Sequence, residues 1–568
     1  MTGRRLPLIA HLALALLVTW PLAAHPLTAL VGDGDADVWN HAWGPWWWAS
    51  ALADGGLPWR TALLRWPDGG VLWFIDPALA LVAAPLVPLL GAAAAWNAAL
   101  LLSVTLTSAG AARFARALAG EAGLSLASQA VASASAAGGA WVLGALHNGV
   151  SESLHLGPLA YALALGEEAV ARPERGRWAR AGLALGAVCW VSPYFGLAGG
   201  LALLVRLGHA LASPGRGGRA SRALLAPRGL GGLALGAAVA APVLGLFSAQ
   251  LGSTDALVRR PEGMNEQLAL THAADLLHLL APPTFALDMR EHMVHTAYLG
   301  LVALALAWGG RRGRGGWIAA AMVCAVMGLG PWLSWRGAWV ELGGARVPLP
   351  WRAVQALAPW LALTHALRLA APAVLIVSGL AAQGAARLRL PSPALAWLAP
   401  ALVLLDGLAL SGGLWPLATA PAQIPAVYAA IGQATDEGVL DLPTDAGATM
   451  ATSRYLYWQT GHRHPIPYAP DARASTASLI DEPFFRALAA RCARRPDEQA
   501  SLGLDPSAPP ATGPERLRDR RYRWIVLHPE LDPSSSAELE ALLSAWLGPG
   551  ERIEGALRWD LGAQAARP

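Results

Sequence analysis

Acidic and aromatic residues lie side by side near the start of the chain. Three aspartates, Asp33, Asp35 and Asp37, alternate with small residues, and five tryptophans follow within the ten residues 39–48. A carboxylate that indole rings shield from water can act as a general base on a hydroxyl group. The same carboxylates could bind a divalent cation through their oxygens. A solvated turn beside an interfacial tryptophan belt is the alternative without chemistry.

The composition places these residues in a membrane protein. Of 568 residues, 55% are hydrophobic and 14% are charged, whereas a soluble domain carries about 25% charged residues. The mean hydropathy is +0.40. The chain contains no lysine, and its arginines cluster in short loops between apolar runs. This distribution indicates membrane topology and argues against nucleic-acid binding, despite the net charge of +4.

Long apolar runs predict a mainly α fold, a polytopic membrane helical bundle. A helix needs about 20 apolar residues to cross the hydrocarbon core, and counting each run as one crossing gives about eleven spans. The first run is predicted to be an uncleaved span, although Leu22-Ala23-Ala24 resembles a signal-peptide cleavage site. The runs are 6–31, 76–112, 126–146, 153–171, 178–192, 194–205, 230–250, 297–310, 315–331, 369–386 and 393–412.

The arginine loops assign the two sides of the bundle. If Arg4 and Arg5 are cytoplasmic, every dense arginine cluster before residue 413 falls on that side, provided that 76–112 crosses once. The stretch 76–91 is then re-entrant or juxtamembrane. The polar segments predicted to lie outside are 32–75, 147–152, 251–296, 332–368 and the chain after about residue 413.

One pair of runs is interrupted by Ser192-Pro193-Tyr194. The runs 178–192 and 194–205 are each short for a crossing, and a proline breaks the helix between them. A bent pair of half-helices that lines a protein cavity is the prediction. The alternative is one kinked helix, which would reverse the topology of the later segments.

After Leu414 the composition changes, because Pro, Asp, Arg and Ser become more frequent and no run is long enough to span. We therefore divide the chain into a transmembrane domain, 1–412, with its first external loop at 32–75, and an extracytoplasmic α/β domain, 413–568. The elements predicted in this second domain are strands at 439–442, 524–527 and 552–561, a helix at 535–547 and a loop at 494–518.

Several motifs resemble those of bacterial GT-C-type membrane glycosyltransferases. From Gly32 the first loop reads Gly-Asp-Gly-Asp-x-Asp-x-Trp-Asn-His-x-Trp-x-x-Trp-Trp. The resemblance covers most of the chain. The other segments that carry it are Trp66–Gly70, Asp76-Pro77, His147–Glu152, Gly157–Leu159, Ser192–Gly196 and Gln459–Ile466.

This resemblance implies transfer of a sugar from a polyprenyl-phosphate donor to an acceptor on the extracytoplasmic face of the bacterial inner membrane. An aspartate of the first loop would be the general base, and the matching positions are Asp35 and Asp37, with Asp33 third. The base would take a proton from the acceptor hydroxyl while the lipid phosphate leaves. No cofactor is predicted, with a divalent cation as the alternative, and the partners are the lipid-linked donor and the bilayer.

A phosphate-binding cation should face the same cavity as the base. Arginine suits this role because its planar fork binds two phosphate oxygens at once. Arg259, Arg260 and Arg290 are candidates in the external segments, together with two arginines of the first loop. For each of them the alternative is a helix cap or a contact with lipid headgroups.

Other polar residues are predicted to contact substrate. In the C-terminal domain, the resemblance implies that Gln459, His462 and Arg473 face the membrane cavity, and a solvated loop is the alternative. The predicted substrate-binding residues are Asn40, His41, Trp43, Arg60, Arg65, Asp68, His147, Asn148, Glu152, His155, Tyr194, Gln459 and His462.

Neither the histidines nor the cysteines predict a metal site. The stretch from His272 to His295 contains four histidines, but their spacing matches no ligand motif. Cys189 and Cys324 lie inside apolar runs and only Cys492 lies in a polar region, so no disulfide is predicted.

Two other functions remain open at the level of the sequence. A carrier or flippase for a lipid-linked saccharide would use the same cavity without a base, but such transporters often show paired repeats. The chain shows no internal repeat and a single interrupted pair of runs, which favours the enzyme. A catalytically silent protein of envelope assembly would retain nearly the same residues.

Overall fold

The computed structural model describes most of the chain. The described residues are 5–72, 76–172, 174–213, 227–258, 270–282, 289–290, 293–357, 365–434, 436–444, 451–470, 476, 478–492, 510 and 512–564. Helices dominate this part of the chain, and a four-stranded sheet lies near its C-terminal end. The predicted mainly α fold class is therefore confirmed at this level.

The apolar runs form a helical bundle. Five of its helical segments are long and apolar enough to cross a membrane: Pro77–Ala122, Leu126–Asn148, Pro193–Ala212, Gly229–Gly252 and Ala366–Ala385. Large apolar side chains on the bundle surface are exposed, as expected where lipid replaces water. The count of eleven crossings stays a prediction. The bundle helices are Leu8–Val18, Val87–Ala119, Leu126–Ala137, Ala140–Asn148, Gly157–Ala171, Arg175–Val191, Pro193–Ala212, Pro227–Gly252, Leu301–Gly310, Gly315–Gly328, Ala371–Ala385 and Leu398–Ala409.

The first apolar run is not a single helix. Its helix, Leu8–Val18, ends before Pro21, because a proline lacks the amide hydrogen that continues a helix. The chain then forms the strand Ala29–Val31, which pairs antiparallel with Thr419–Pro421. The chain that leaves the first helix is thereby tied to the start of the C-terminal region.

The second apolar run, 76–112, is interrupted at Gly91, where the predicted re-entrant or juxtamembrane stretch 76–91 ends. A short helix, Pro77–Ala83, precedes the long helix Val87–Ala119, and Gly91 adopts a φ of +79° within the latter. Only glycine adopts this conformation without strain. The chain before Gly91 is thus a distinct piece, and its position relative to the membrane stays a prediction.

The helices on either side of Ser192 form an antiparallel hairpin. Gly196 packs against Cys189, and Gly199 packs against Leu185, so the two helices run back along each other. They span about 26 and 30 Å, since a helix rises 1.5 Å per residue. The alternative of one kinked helix was wrong. The predicted pair of helices that turns back at Ser192 is present, but both are longer than half-helices, because the first begins among arginines, at Arg175, before the apolar run.

The arginine clusters meet at one end of the bundle. Arg113 binds Glu168 at 3.1 Å, and Arg206 binds the adjacent Glu167 at 2.8 Å. Arg387 donates to the carbonyl of Gly309 at the end of a neighbouring helix. We call this the arginine end. The arginines of the segment 214–226 lie outside the described residues, and the side of the membrane that the arginine end faces stays a prediction.

The C-terminal sheet has the order Gly438–Leu442, Tyr522–Leu527, Ala556–Asp560 and Glu551–Ile553. The first pair is parallel and the other two are antiparallel. The expected last strand is a hairpin, because Glu554 and Gly555 turn the chain with φ values of +46° and +96°. The predicted helix is present as Pro533–Leu547, and Asp532 caps it by accepting from the amide of Ser534.

Most of the predicted C-terminal loop, 494–518, lies outside the described residues, and its described part contains the start of the short helix Glu515–Asp519. The other described helices and two-stranded pairs are separate from the bundle helices and the C-terminal sheet. The helices are Val38–Ala53, Pro77–Ala83, Ser151–Leu154, Leu276–Leu280, Pro350–Leu357, Val427–Ile431, Ala451–His462, Pro483–Cys492, Glu515–Asp519 and Leu561–Gln564. The two-stranded pairs are Arg60–Thr61 with Gly70–Val71, Met289–Arg290 with Met293–Val294, Ser334–Trp335 with Ala338–Trp339, and Glu341–Leu342 with Ala345–Arg346.

A buried histidine in the C-terminal region lies between two carboxylates. The ring nitrogens of His528 lie 3.4 Å from Asp441 and 3.5 Å from Glu530. Burial alone would lower the pKa of His528, but the two carboxylates outweigh burial and raise it. A raised pKa stabilises the fold fully below the unfolded value of about 6.5, and this stabilisation is lost as pH rises through the folded value.

We therefore expect the melting temperature of the purified protein to fall as pH rises from about 6 to about 8.5. The variant His528→Gln should melt at a lower temperature at the acidic end of this range, and its melting temperature should depend less on pH. Differential scanning fluorimetry in buffers of equal ionic strength measures both. Parallel pH profiles for the two proteins would contradict the assignment to His528.

Candidate functional site

The tryptophans of the first loop are buried inside the protein. They lie on the helix Val38–Ala53, which we call the loop helix, and all five are buried. Trp43 stacks on Trp47 with ring centres 5.9 Å apart, and its indole nitrogen donates to Gln459 at 2.9 Å. The cluster therefore joins the first loop to the C-terminal region, in place of the interfacial belt that the sequence left open.

The three aspartates that precede the loop helix have different surroundings. Asp33 has a side chain 29% exposed, and its Oδ2 lies 3.5 Å from Nε2 of His147. Asp35 is 64% exposed and faces Arg454 at 3.3 Å. Asp37 is half-buried directly before the loop helix, and its amide donates to the carbonyl of Asn148 at 3.1 Å. Asp33 is therefore an aspartate that the fold places against a buried imidazole, whereas the exposed Asp35 faces an arginine.

A second segment, 146–152, runs beside the aspartates and fixes His147. The amide of Asp33 donates to the carbonyl of His147 at 2.7 Å. Gly149 has a φ of +68°, and a Cβ there would lie 2.4 Å from Cα of Val38. Only glycine fits this backbone crossing. The side-chain amide of Asn148 fixes the same segment to a later part of the chain, because it both donates to and accepts from the backbone of Val294.

A buried ion pair lies farther along the same two segments. Glu152 accepts from Arg368 at 2.8 Å, and its other oxygen lies 3.6 Å from Nδ1 of His41. The same nitrogen of His41 lies 3.1 Å from the hydroxyl of Ser151. Arg368 also donates to Ser153 at 3.1 Å. The fold thus places the predicted residues His41 and Glu152 against each other and pairs Glu152 with Arg368, an arginine that the sequence analysis missed.

Arg368 connects this ion pair to an aromatic group. Its guanidinium lies over the ring of Tyr194, and the Tyr194 hydroxyl accepts from the amide of His365. The ring of His272 contacts both His365 and His295, at 4.3 and 4.8 Å. Within the described part of the chain, no three His, Cys, Asp or Glu side chains are grouped so as to hold a metal ion.

The other predicted residues of the transmembrane region and first loop are more dispersed. Arg60 binds Asp255 at 2.6 Å on an exposed surface. A hydrogen bond from Ser253 and the contact with Arg60 lower the pKa of Asp255. Arg65 is buried at a turn, with a φ of +48°, and Asp68 is exposed in that turn.

Asn40 and His155 are both buried. The Oδ1 atom of Asn40 has no hydrogen-bond partner among the described residues. His155 lies 2.6 Å from Ser103 of the long helix. Arg259, Arg260 and the side chain of Arg290 lie outside the described residues.

The C-terminal residues of the prediction are packed inside the protein. Gln459 is fully buried and donates to the carbonyls of Leu63 and His464, which fixes the first loop to this region. His462 is fully buried and stacks on Tyr428. Burial, followed by the nearby imidazoles, lowers its pKa well below the usual range, so it is neutral. Gln459 and His462 thus form packing contacts where cavity-lining positions were expected, and Arg473 lies outside the described residues.

One arginine near the aspartates was also missed. Arg454, on the helix Ala451–His462, faces Asp35 and lies over the ring of Trp39. A Cβ built on Gly34 would lie 3.7 Å from its guanidinium. Its Nε has no hydrogen-bond partner among the described residues. No motif around Arg454 indicated this position. Arg454 reaches the aspartates through tertiary contacts, namely the strand pair between Ala29–Val31 and Thr419–Pro421 and the hydrogen bond from Trp43 to Gln459.

The fold that holds this site is similar to those of two solved membrane proteins. The chain superposes on the arabinofuranosyltransferase AftD from Mycobacteria with a TM-score of 0.56 and 17% identity over 94% of its length. It superposes on ArnT from Cupriavidus metallidurans with a TM-score of 0.52 and 13% identity over 99% of its length. The chain has the GT-C fold of membrane glycosyltransferases.

The two GT-C structures differ in how much of each is matched. The match covers 98% of the ArnT chain and 38% of the AftD chain, so the present chain spans well under half the length of AftD. At these identities the likeness establishes the fold alone. No family model and no curated protein sequence matches the chain.

Proposed function

We propose that the protein transfers a sugar from a polyprenyl-phosphate donor to an acceptor hydroxyl on the extracytoplasmic side, with Asp33 as general base. The observation that carries the proposal is the contact of Asp33 with His147, beside the loop helix of a GT-C fold. The sequence placed Asp35 and Asp37 first. We favour Asp33 because it is better shielded than Asp35 and faces a buried imidazole.

The reaction is a displacement at the anomeric carbon of the sugar. Asp33 accepts the proton of the acceptor hydroxyl, and the acceptor oxygen forms a bond to the anomeric carbon. The bond from that carbon to the phosphate oxygen breaks, and the polyprenyl phosphate leaves with the bonding electrons. His147 has a positioning role, since it holds the Asp33 carboxylate beside the backbone crossing at Gly149.

The leaving phosphate needs a positive partner near the base. Arg454 suits this role, because it lies beside Gly34 and is 29% exposed, and its Nε donor has no partner among the described residues. An arginine fork binds phosphate oxygens in a bidentate way. ArnT has been solved with undecaprenyl phosphate bound. For the present chain, we propose a polyprenyl phosphate as the carrier of the sugar.

The proposal is tested in a strain that lacks the gene. Mass spectrometry of its polyprenyl-linked sugars and envelope glycans should show one lipid-linked sugar accumulating and the same sugar missing from a glycan. Purified protein added to that lipid fraction should form the missing glycosidic bond. Unchanged lipids and glycans would contradict the proposal, and flux of intact lipid-linked sugar without a new bond would identify a flippase.

A further inference from the structure

A basic cavity lies at the arginine end of the bundle, among the chain start, the long helix and two later helices. Its volume is about 340 Å³. Five guanidinium groups from separate parts of the sequence converge on it, with a single carboxylate. These residues are Arg5, Arg113, Arg116, Arg172, Arg177 and Glu168.

The charges around this cavity do not balance. Arg113 pairs with Glu168, and two arginines pair with the rim carboxylates Glu121 and Glu174. Three carboxylates thus oppose five guanidiniums, which leaves two positive charges in excess. The two arginines without a carboxylate partner are Arg116, which donates to Gln129, and Arg5, which has no ion pair among the described residues.

These two arginines lie close enough to repel each other. Arg116 is within electrostatic range of Arg5 and Arg113, and of the one lining carboxylate, Glu168, which Arg113 already binds. Holding like charges together costs free energy unless a counter-ion binds between them. Phosphate is an anion that arginine forks bind well, since each fork donates two parallel hydrogen bonds. The cavity therefore has the chemistry of a phosphate-binding site.

The position of the cavity favours a phosphate that belongs to a lipid. It lies where the apolar helices end, which is the level of lipid headgroups. Immediately after Arg5, the side chains of Leu8 and Ile9 are 72% and 70% exposed on the first helix. An acyl chain would meet an apolar surface there, three and four residues along the chain from the lining residue Arg5. A soluble anion would gain nothing from these two side chains.

We propose that this cavity binds the phosphate of an anionic phospholipid headgroup, with Arg5 and Arg116 as its main ligands. The site lies at the opposite end of the bundle from Asp33, the proposed base. Its Arg177 is at the start of the helix Arg175–Val191, whereas Tyr194, just beyond the other end of that helix, contacts the Arg368–Glu152 pair beside the loop helix. The site would anchor the N-terminal segment against the long helix through a shared lipid.

The test uses the purified full-length protein in a neutral detergent. Phosphatidylglycerol, phosphatidylcholine and inorganic phosphate are added separately, and bound lipid is counted by native mass spectrometry while melting temperature is recorded. We expect phosphatidylglycerol to bind and to raise the melting temperature, with little effect of the other two. The affinity of the variant Arg5→Gln/Arg116→Gln for phosphatidylglycerol should fall at least about tenfold, as expected when charge-assisted hydrogen bonds are lost.

A matched control separates this site from general surface charge. Arg389→Gln removes a positive charge from an exposed arginine just after the helix Ala371–Ala385, outside the cavity lining. It should leave phosphatidylglycerol binding unchanged. Equal weakening in the control, or no preference for phosphatidylglycerol over phosphatidylcholine, would overturn the site. Stabilisation by inorganic phosphate alone, lost in the double variant, would keep the phosphate chemistry and overturn the lipid source.

Discussion

Replacing Asp33 by asparagine is expected to lower sugar transfer by about 10²–10⁴-fold, the usual contribution of a general base. Asparagine keeps the size of the side chain and can still contact His147, but it cannot accept the acceptor proton. Membrane insertion and melting temperature should therefore stay close to those of the wild type. The measurement is the rate of glycosidic bond formation by purified protein at saturating donor.

Asp35→Asn is the matched control, two residues away in the same turn. Its carboxylate is 64% exposed and faces Arg454, so its loss should change the rate by only a few-fold. The reverse outcome, with Asp33→Asn active and Asp35→Asn inactive, would restore the order that the sequence suggested. Full activity of both variants and of the triple variant that includes Asp37→Asn would remove the base from this loop.

The sequence located the loop but not the orientation of its side chains. Alternating aspartates were equivalent in the sequence, and their order followed the resemblance alone. In the fold, Oδ1 of Asp33 accepts from the amide of Asp35, a local turn that directs the second carboxylate outward. The ranking of the two depends on His147, which is more than 100 residues away and could not be inferred from spacing.

The positions of helices and strands were predicted better than the tertiary contacts between them. Apolar runs and arginine loops gave the bundle and its arginine end, because burial and charge are local properties of the sequence. The run at 6–31 was misread, since apolar residues around Pro21 continue as a strand instead of a helix. Gln459 was predicted to line a cavity, yet it bonds to Trp43 and the first loop, a contact across some 400 residues.

The missed arginines show the same limit. Arg368 precedes an apolar run by one residue and looked like a boundary residue of that run. Its position on the external side of the predicted topology, directly before a span, was the signal available. Arg454 carried no such signal, since only the packing of the C-terminal region against the first loop brings it to the aspartates.

The second large effect is expected for Glu152→Gln, which leaves Arg368 buried without its counter-charge. The two side chains are 2% and 9% exposed and lie 2.8 Å apart. Removing one partner of a buried pair costs about 3–5 kcal/mol, because the remaining charge is neither hydrated nor neutralised. We therefore expect a large drop in the thermal unfolding midpoint, followed by tryptophan fluorescence of the purified protein.

An exposed pair supplies the control for this change. Glu540 lies 3.3 Å from Arg552, with side chains 41% and 55% exposed, so Glu540→Gln should cost less than about 1 kcal/mol. The double variant Glu152→Gln/Arg368→Gln removes both buried charges and should recover part of the lost stability. If it recovered stability and transfer together, the pair would be structural. If it recovered stability without transfer, at least one of the two charges would have a role at the site beyond packing. Equal melting temperatures of Glu152→Gln and the control Glu540→Gln would contradict the buried pair itself.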